Sequence, residues 1–200
     1  MPPRNQTLIK QLLLRTEKLE KEMREVKKWA GKEKKKINII AWLNEHYLPS
    51  KDFSDWVKDI TVGQSELELI FRNQLEKGLY YILEKNLPIE DRRHFPIIAF
   101  KHQHCATLYI YDGQESWQKL ENKEFNETIS YIHRKILKAF ATWTASCSNI
   151  FENYAAYDKK LKTTMLLPER KQGIYIRLRR RLCKYLSLNL KNIVEYEFIF

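Results

Sequence analysis

The hydrophobic period of this chain changes twice along its length, and these two changes limit the folds open to it. From Leu67 to Leu83 apolar residues recur every three to four positions, between Phe95 and Leu120 they fall in short β-branched and aromatic runs, and from Phe125 the helical spacing returns. In the first block Leu67, Ile70, Phe71, Leu75, Leu79, Ile82 and Leu83 form one stripe. Ser65 with Glu68 reads as a capping box at its start, so the spacing predicts a single helix of about 22 residues ending before Pro88. The runs Phe95–Phe100, Ala106–Tyr111 and Ser116–Leu120 are separated by a His/Gln turn and by Asp112-Gly113, which predicts a three-stranded antiparallel meander. Phe125, Ile129, Ile132, Ile136, Phe140, Trp143 and Cys147 then keep a helical period that makes Cys147 a core thiol. Ser148 or Asn149 interrupts it before a further helical stretch, Tyr154–Leu167. Helical blocks around a run of consecutive strands predict the α+β class: a mainly helical body with a small antiparallel meander.

The N-terminal segment reads as a coiled-coil arm. Ile9, Thr16, Met23 and Ala30 fall at heptad position a, and Leu12, Leu19 and Val26 at d, which is about three heptads with one polar a position. In a parallel dimer Arg15 meets Glu20 of the other chain and Glu22 meets Lys27, so the flanking charges suit this register. Ile9, Leu12, Thr16, Leu19, Met23 and Val26 are therefore the expected oligomerisation residues, the competing arrangement being a helix docked on its own body. Gly31 followed by Lys32, Lys34, Lys35 and Lys36 ends or hinges this helix, and the lysines read as a phosphate-contacting strip, a nuclear localisation signal or a solvated charge run. Residues 1–36 are taken as the arm and 37–200 as the folded domain. The domain opens with a short helix around Ile39–Tyr47 before Pro49, and with a second around Trp56–Ile60 capped by Asp52 or Ser54.

A basic helix closes the body. Pro168 suits a first helical turn, and the helix is expected to run to about Asn192. On a helical wheel Ile174, Tyr175, Leu178, Leu182, Tyr185, Leu186, Leu190 and Ile193 cover one half. Arg177, Arg180, Arg181, Lys184 and Lys191 gather within about 100° on the other side, with Arg179 alone near the apolar edge. Glu195–Phe200 alternates acidic and aromatic residues, as a C-terminal strand added to the edge of the meander does.

Charge follows the same division. Residues 1–36 carry twelve Lys/Arg against five Asp/Glu (+7), residues 37–150 thirteen against fifteen (−2), and residues 151–200 eleven against five (+6). A near-neutral middle between two cationic ends is the layout of a folded body with polyanion-binding attachments. Three widely spaced cysteines, Cys105, Cys147 and Cys183, fit a reducing compartment without disulfides. The longest apolar runs, Ile37–Leu43 and Ile193–Phe200, are far short of the roughly 20 residues that span a bilayer, and no apolar signal segment opens the chain, so an intracellular protein without membrane insertion is expected.

Catalytic signatures are sparse. His102, His104 and Cys105, with His94 nearby, supply too few ligands for zinc, which takes two spaced pairs. His133 and His46 read as surface residues. Glu66 and Glu68 suit a helix N-terminus, and Glu90-Asp91 a turn, better than a nuclease metal site. No phosphate-cradling glycine loop or nucleophile elbow is present, and no cofactor is implied. Lysines and arginines on an exposed helix face gain affinity for phosphates through counterion release. The expected nucleic-acid-binding residues are accordingly Lys32, Lys34, Lys35, Lys36, Arg177, Arg180, Arg181, Lys184 and Lys191. Tyr109 and Tyr111 are either core residues or platforms on which single-stranded bases stack.

The order Trp56-Val57-Lys58-Asp59-Ile60, Glu76-Lys77-Gly78-Leu79-Tyr80-Tyr81-Ile82-Leu83, Pro96-Ile97-Ile98-Ala99-Phe100, Leu108-Tyr109-Ile110-Tyr111-Asp112 with Trp117, and Tyr196-Glu197-Phe198 resembles uncharacterised proteins of large DNA viruses, of the mimivirus and phycodnavirus kind. The resemblance covers about residues 40–200 and implies a viral setting, in host cytoplasm, nucleus or virion, without naming an activity. These readings together predict a non-catalytic, oligomeric nucleic-acid-binding protein acting in genome handling or gene expression. The alternative is a structural or scaffolding component whose charged ends meet acidic proteins, and a metal-dependent nuclease is the third reading.

Overall fold

The computed structural model describes residues 3–30, 32–34, 38–87, 94–102, 105–113, 116–147, 154–188 and 196–198. The chain divides into two units, Met1–Ile37 with Lys191–Phe200, and Asn38–Leu190. The first unit contains the 28-residue helix α1 (Pro3–Ala30) and strand β1 (Lys32–Lys34). The residues after Gly31, expected to end or hinge the helix, thus begin a strand.

In the second unit Asn38 opens α2 (Ile39–His46), its Oδ1 accepting from the amides of Ile40 at 3.1 Å and Ala41 at 3.4 Å. Asp52 caps α3 (Phe53–Asp59) through the Asp55 amide at 2.7 Å. The far end of α3 is closed from a distance in sequence. Lys135 Nζ donates to the carbonyls of Val57, Lys58 and Ile60 at 3.2, 2.5 and 2.7 Å, so one ammonium satisfies the free acceptors of a helix C-terminus.

The single helix expected from Ser65 is two helices, α4 (Gln64–Asn73) and α5 (Leu75–Lys85). They are separated by Gln74, whose φ of 73° is the one positive value outside glycine among the described residues. Period alone hides this break, because the apolar stripe passes through it in phase. The cap also differs: Gly63 is the N-cap, and Glu66, not Glu68, reaches back to the Gly63 amide at 2.9 Å. Glu66 is only 4% exposed. Burial pushes its carboxyl up, but the ion pair with Lys85 at 2.7 Å, the Gly63 amide and the Ser65 hydroxyl outweigh it and hold the pKa at about 2. Beyond Gln74 the chain folds back so closely that a Cβ on Gly78 would lie 2.1 Å from Cγ1 of the fully buried Ile70.

The meander forms as its runs predict, with β2 (Ile97–His102), β3 (Cys105–Tyr111) and β4 (Trp117–Lys119) antiparallel in sequence order. Asp112 shapes the β3–β4 turn by accepting from the Ser116 amide at 3.2 Å. Next come α6 (Asn122–Ser146), α7 (Tyr154–Thr164) and α8 (Pro168–Leu186). Cys147 is the half-buried C-cap of α6 rather than a core thiol. The last helix stops at Leu186, short of Asn192, because Ser187–Leu188 extend as β5 and pair in parallel with Ala99 and Phe100 of β2. The sheet order is therefore β4-β3-β2-β5, and the architecture is α+β, mainly helical with one small mixed sheet. The C-terminal strand β6 (Tyr196–Phe198) does not join the meander. It pairs antiparallel with β1, Lys32 opposite Phe198 and Lys34 opposite Tyr196.

Both faces of β2 are buried, which explains its unbroken apolar run. Ile97, Ala99, Leu108 and Ile110 point into the main core with Leu67, Ile70, Leu79, Ile82, Ile129, Ile132, Leu178 and Leu182. Phe100 and Trp117 belong to the opposite face, beneath α2, where Trp117 donates to the Tyr47 carbonyl at 2.9 Å and Trp42 meets Phe100 edge-on at 6.0 Å. Tyr109 and Tyr111 are on this second face and half-buried.

His133, expected on the surface, is buried. Helix α7 ends against it, and its Nε2 lies 2.8 Å from the Thr164 carbonyl. Burial pushes the imidazole pKa below its ordinary value, with the Thr164 carbonyl opposing and Lys171 assisting.

Two outcomes follow. Gly78→Ala is expected to lower stability by about 1–3 kcal/mol in urea unfolding, because the new methyl must displace Ile70; an unchanged midpoint would show that Ile70 yields freely. Because folded His133 titrates below its unfolded value of about 6.5, the unfolded chain binds the extra proton as pH falls. Stability should drop below about pH 6.5, and His133→Gln should flatten that part of the pH profile relative to the parent.

Candidate nucleic-acid interface

Helix α8 begins with Pro168 at its first position and Glu169 in its first turn, and has Lys184 in its last, an arrangement that suits the helix dipole at both ends. Its period then sorts the side chains. Ile174, Tyr175, Leu178, Leu182, Cys183 and Leu186 are buried against β2, β3, α5 and α6, while Ile176, Arg177, Arg180, Arg181 and Lys184 are exposed. Tyr185, half-buried at the boundary, donates to the Leu87 carbonyl at 2.8 Å.

The structure gives the four exposed cations different surroundings. Arg177 is not free: its Nε and Nη2 both donate to Glu76 Oε2 of α5, at 2.8 and 2.6 Å. Arg181 has its guanidinium carbon over the Tyr80 ring, 3.6 Å from the centroid. Burial pushes the Tyr80 hydroxyl pKa up and Glu84 adds to this, while Arg181 opposes it. Arg180 and Lys184, one turn apart, have no ion pair or hydrogen bond with a described residue. The packing of α5 beside α8 makes the difference, since it brings Glu76 and Tyr80 to Arg177 and Arg181 and stops short of the outermost line of the helix. Sequence spacing cannot show this, because Glu76 is 101 residues from Arg177.

Arg179 faces the other way. Its Nη2 donates to the Leu120 carbonyl at 2.6 Å, Nη1 to Glu121 at 3.4 Å, and its guanidinium sits 5.4 Å from the Phe125 ring centroid. It ties α8 to the turn between β4 and α6. Beneath it Cys183 is buried, which pushes the thiol pKa up against the effect of Arg179.

Of the other expected contact residues, Lys32 and Lys34 lie in β1, and Lys35, Lys36 and Lys191 lie outside the described residues. His102 and Cys105 are register partners across β2 and β3, and His104, Glu90 and Asp91 lie outside the described residues. Among the described residues no group of three or more His, Cys, Asp or Glu side chains is placed to hold a metal ion. A shallow groove of about 560 Å³ runs between α6 and the start of α8, with Lys123, Glu127, Lys171 and Tyr175 on its walls and the Tyr175 hydroxyl 2.6 Å from that of Ser130. No helix among the described residues is long and apolar enough to cross a membrane. Comparison with protein families, curated proteins and solved structures returned no match.

The two kinds of arginine on α8 should separate on substitution. Arg179→Ala is expected to cost about 1–3 kcal/mol in thermal or urea unfolding, since it leaves the Leu120 carbonyl without its charged donor. Arg180→Ala should stay within about 0.5 kcal/mol of the parent. Equal losses at the two positions would contradict this division of the helix.

Proposed function

We propose that this protein binds nucleic acid without catalysing a reaction, and that the outward line of α8 is its principal phosphate contact. The observation that carries this reading is the pair Arg180 and Lys184: exposed, one helical turn apart, unpaired among the described residues, and adjacent to an Arg181 placed over the Tyr80 ring. Cations without protein partners release counterions fully on meeting phosphates, whereas Arg177, already paired with Glu76, gains less. Arg181, pre-ordered on an aromatic ring, loses little side-chain freedom on binding. The buried ionisable groups support a non-catalytic role, because Glu66 and His133 are engaged in holding helix ends together. Self-association through α1 would bring two such faces to one polyanion, which raises avidity without new contacts. With the resemblance to proteins of large DNA viruses, the setting proposed is intracellular handling or expression of a viral genome.

A second reading is favoured by Ile176, 49% exposed within the cationic face one turn before Arg180. An apolar residue among cations suits an acidic protein partner better than a phosphate backbone, and makes a scaffolding role the alternative.

Fluorescence anisotropy with labelled duplex and single-stranded DNA over a series of salt concentrations tests the reading. Arg180→Ala with Lys184→Ala should weaken binding to all sequences and reduce the slope of log K against log salt by about 0.7–0.9 for each phosphate no longer neutralised. Arg177→Ala should change the slope less than either. Binding and slope unaffected by the double substitution would remove α8 as the footprint and favour the scaffolding reading.

A further inference from the structure

Helix α1 carries an apolar stripe that nothing described in the structure covers. Ile9, Leu12, Leu19 and Met23 are 49–57% exposed, and Leu13 is 59% exposed. Four of these occupy a and d positions, Leu13 occupies e beside the seam, and Leu14 at f lies outside it. A contiguous exposed apolar stripe of this kind marks an interaction surface. Thr16, the polar residue in the stripe, has already satisfied its hydroxyl on the Leu12 carbonyl at 2.9 Å. It therefore asks for no polar partner across a seam and can turn its methyl group inward.

We infer that the occupant of this stripe is α1 of a second copy of the chain, aligned parallel and in register as a two-stranded coiled coil. This rests on the self-association proposed above and adds its strand number and direction; it is independent of the nucleic-acid reading. Charge decides the direction. In the parallel register Arg15 at g faces Glu20 at e of the second copy and Glu22 faces Lys27, and the two-fold axis repeats both pairs. The same register sets Leu8 at g opposite Leu13 at e, extending the apolar seam at its N-terminal end. The antiparallel arrangement of greatest overlap keeps only Arg15 against Glu22, repeated once, and sets the carboxylate of Glu20 against Leu13. Parallel alignment thus has twice the complementary pairs and none of the charge-to-apolar mismatches.

Its consequence for the arm is definite. Parallel helices end together, so the two β1 strands and their lysines emerge side by side at one end of the coil, doubling the local positive charge.

Two measurements on the full chain test this. Light scattering at tens of micromolar should give twice the mass of one chain, falling to one chain for Leu12→Glu with Leu19→Glu. A mass of one chain for the parent, or of three or more, overturns the inference, as does a double mass that survives both substitutions. Direction is read by mixing Thr16→Cys and Leu19→Cys chains under mild oxidation and mapping the linked peptides, which separates the new cysteines from Cys105, Cys147 and Cys183. Parallel pairing sets a against a and d against d, so links should join 16 to 16 and 19 to 19. Predominant 16-to-19 links in a chain of double mass would keep self-association and overturn the parallel arrangement.

Discussion

The burial of one half of α8 on the small sheet is the constraint on which the rest of the second unit depends. A four-stranded sheet with an apolar core face is not stable alone, and Ile174, Leu178, Leu182 and Leu186 supply a cover whose residues are each worth about 1.5–3 kcal/mol when fully buried. Once that half is committed, the helix can rotate little. Its cations must then face outward, Arg179 must meet the carbonyls of Leu120 and Glu121, and the chain leaving Leu186 is delivered to the β2 edge where β5 pairs. The core behind α8 thus fixes which side of the helix the cations occupy.

Three ionisable side chains of the second unit close helix ends. Lys135 takes three carbonyls at the end of α3, Glu66 takes the Gly63 amide at the start of α4, and His133 sits on the last carbonyl of α7. Lys135 and His133 are both brought by α6, whereas Glu66 belongs to α4 itself. Removing any of these side chains takes a partner from a helix-end backbone group, and the cost is greatest at the buried Thr164 carbonyl. Arg180 and Lys184, unpaired among the described residues, take no part in this.

The α+β class, the meander with its Asp112 turn, the α6 helix and the inward and outward faces of α8 were legible in the sequence, because each rests on a period that burial imposes on neighbouring residues. The break at Gln74 was not, since the apolar stripe is in phase on both sides and the bend is set by the contact of Gly78 with Ile70. The buried state of His133 was hidden for a related reason: α7 covers a position that lies on the polar side of its own helix. At the candidate interface, which residues are basic and face outward could be read from spacing, but the neutralisation of Arg177 could not.

The sequence by itself determined the alternation of helix and strand, the heptad pattern of α1, and the sorting of α8 into an apolar and a cationic half, because periodicity and charge are properties of the local chain. Tertiary structure decided the partners. Glu76 reaches Arg177, Lys135 reaches α3, β5 rather than the C-terminal strand completes the sheet, and β6 pairs with β1. Hydrogen bonds and ion pairs act over a few ångströms whatever the separation along the chain, so these choices exist only once the elements have packed.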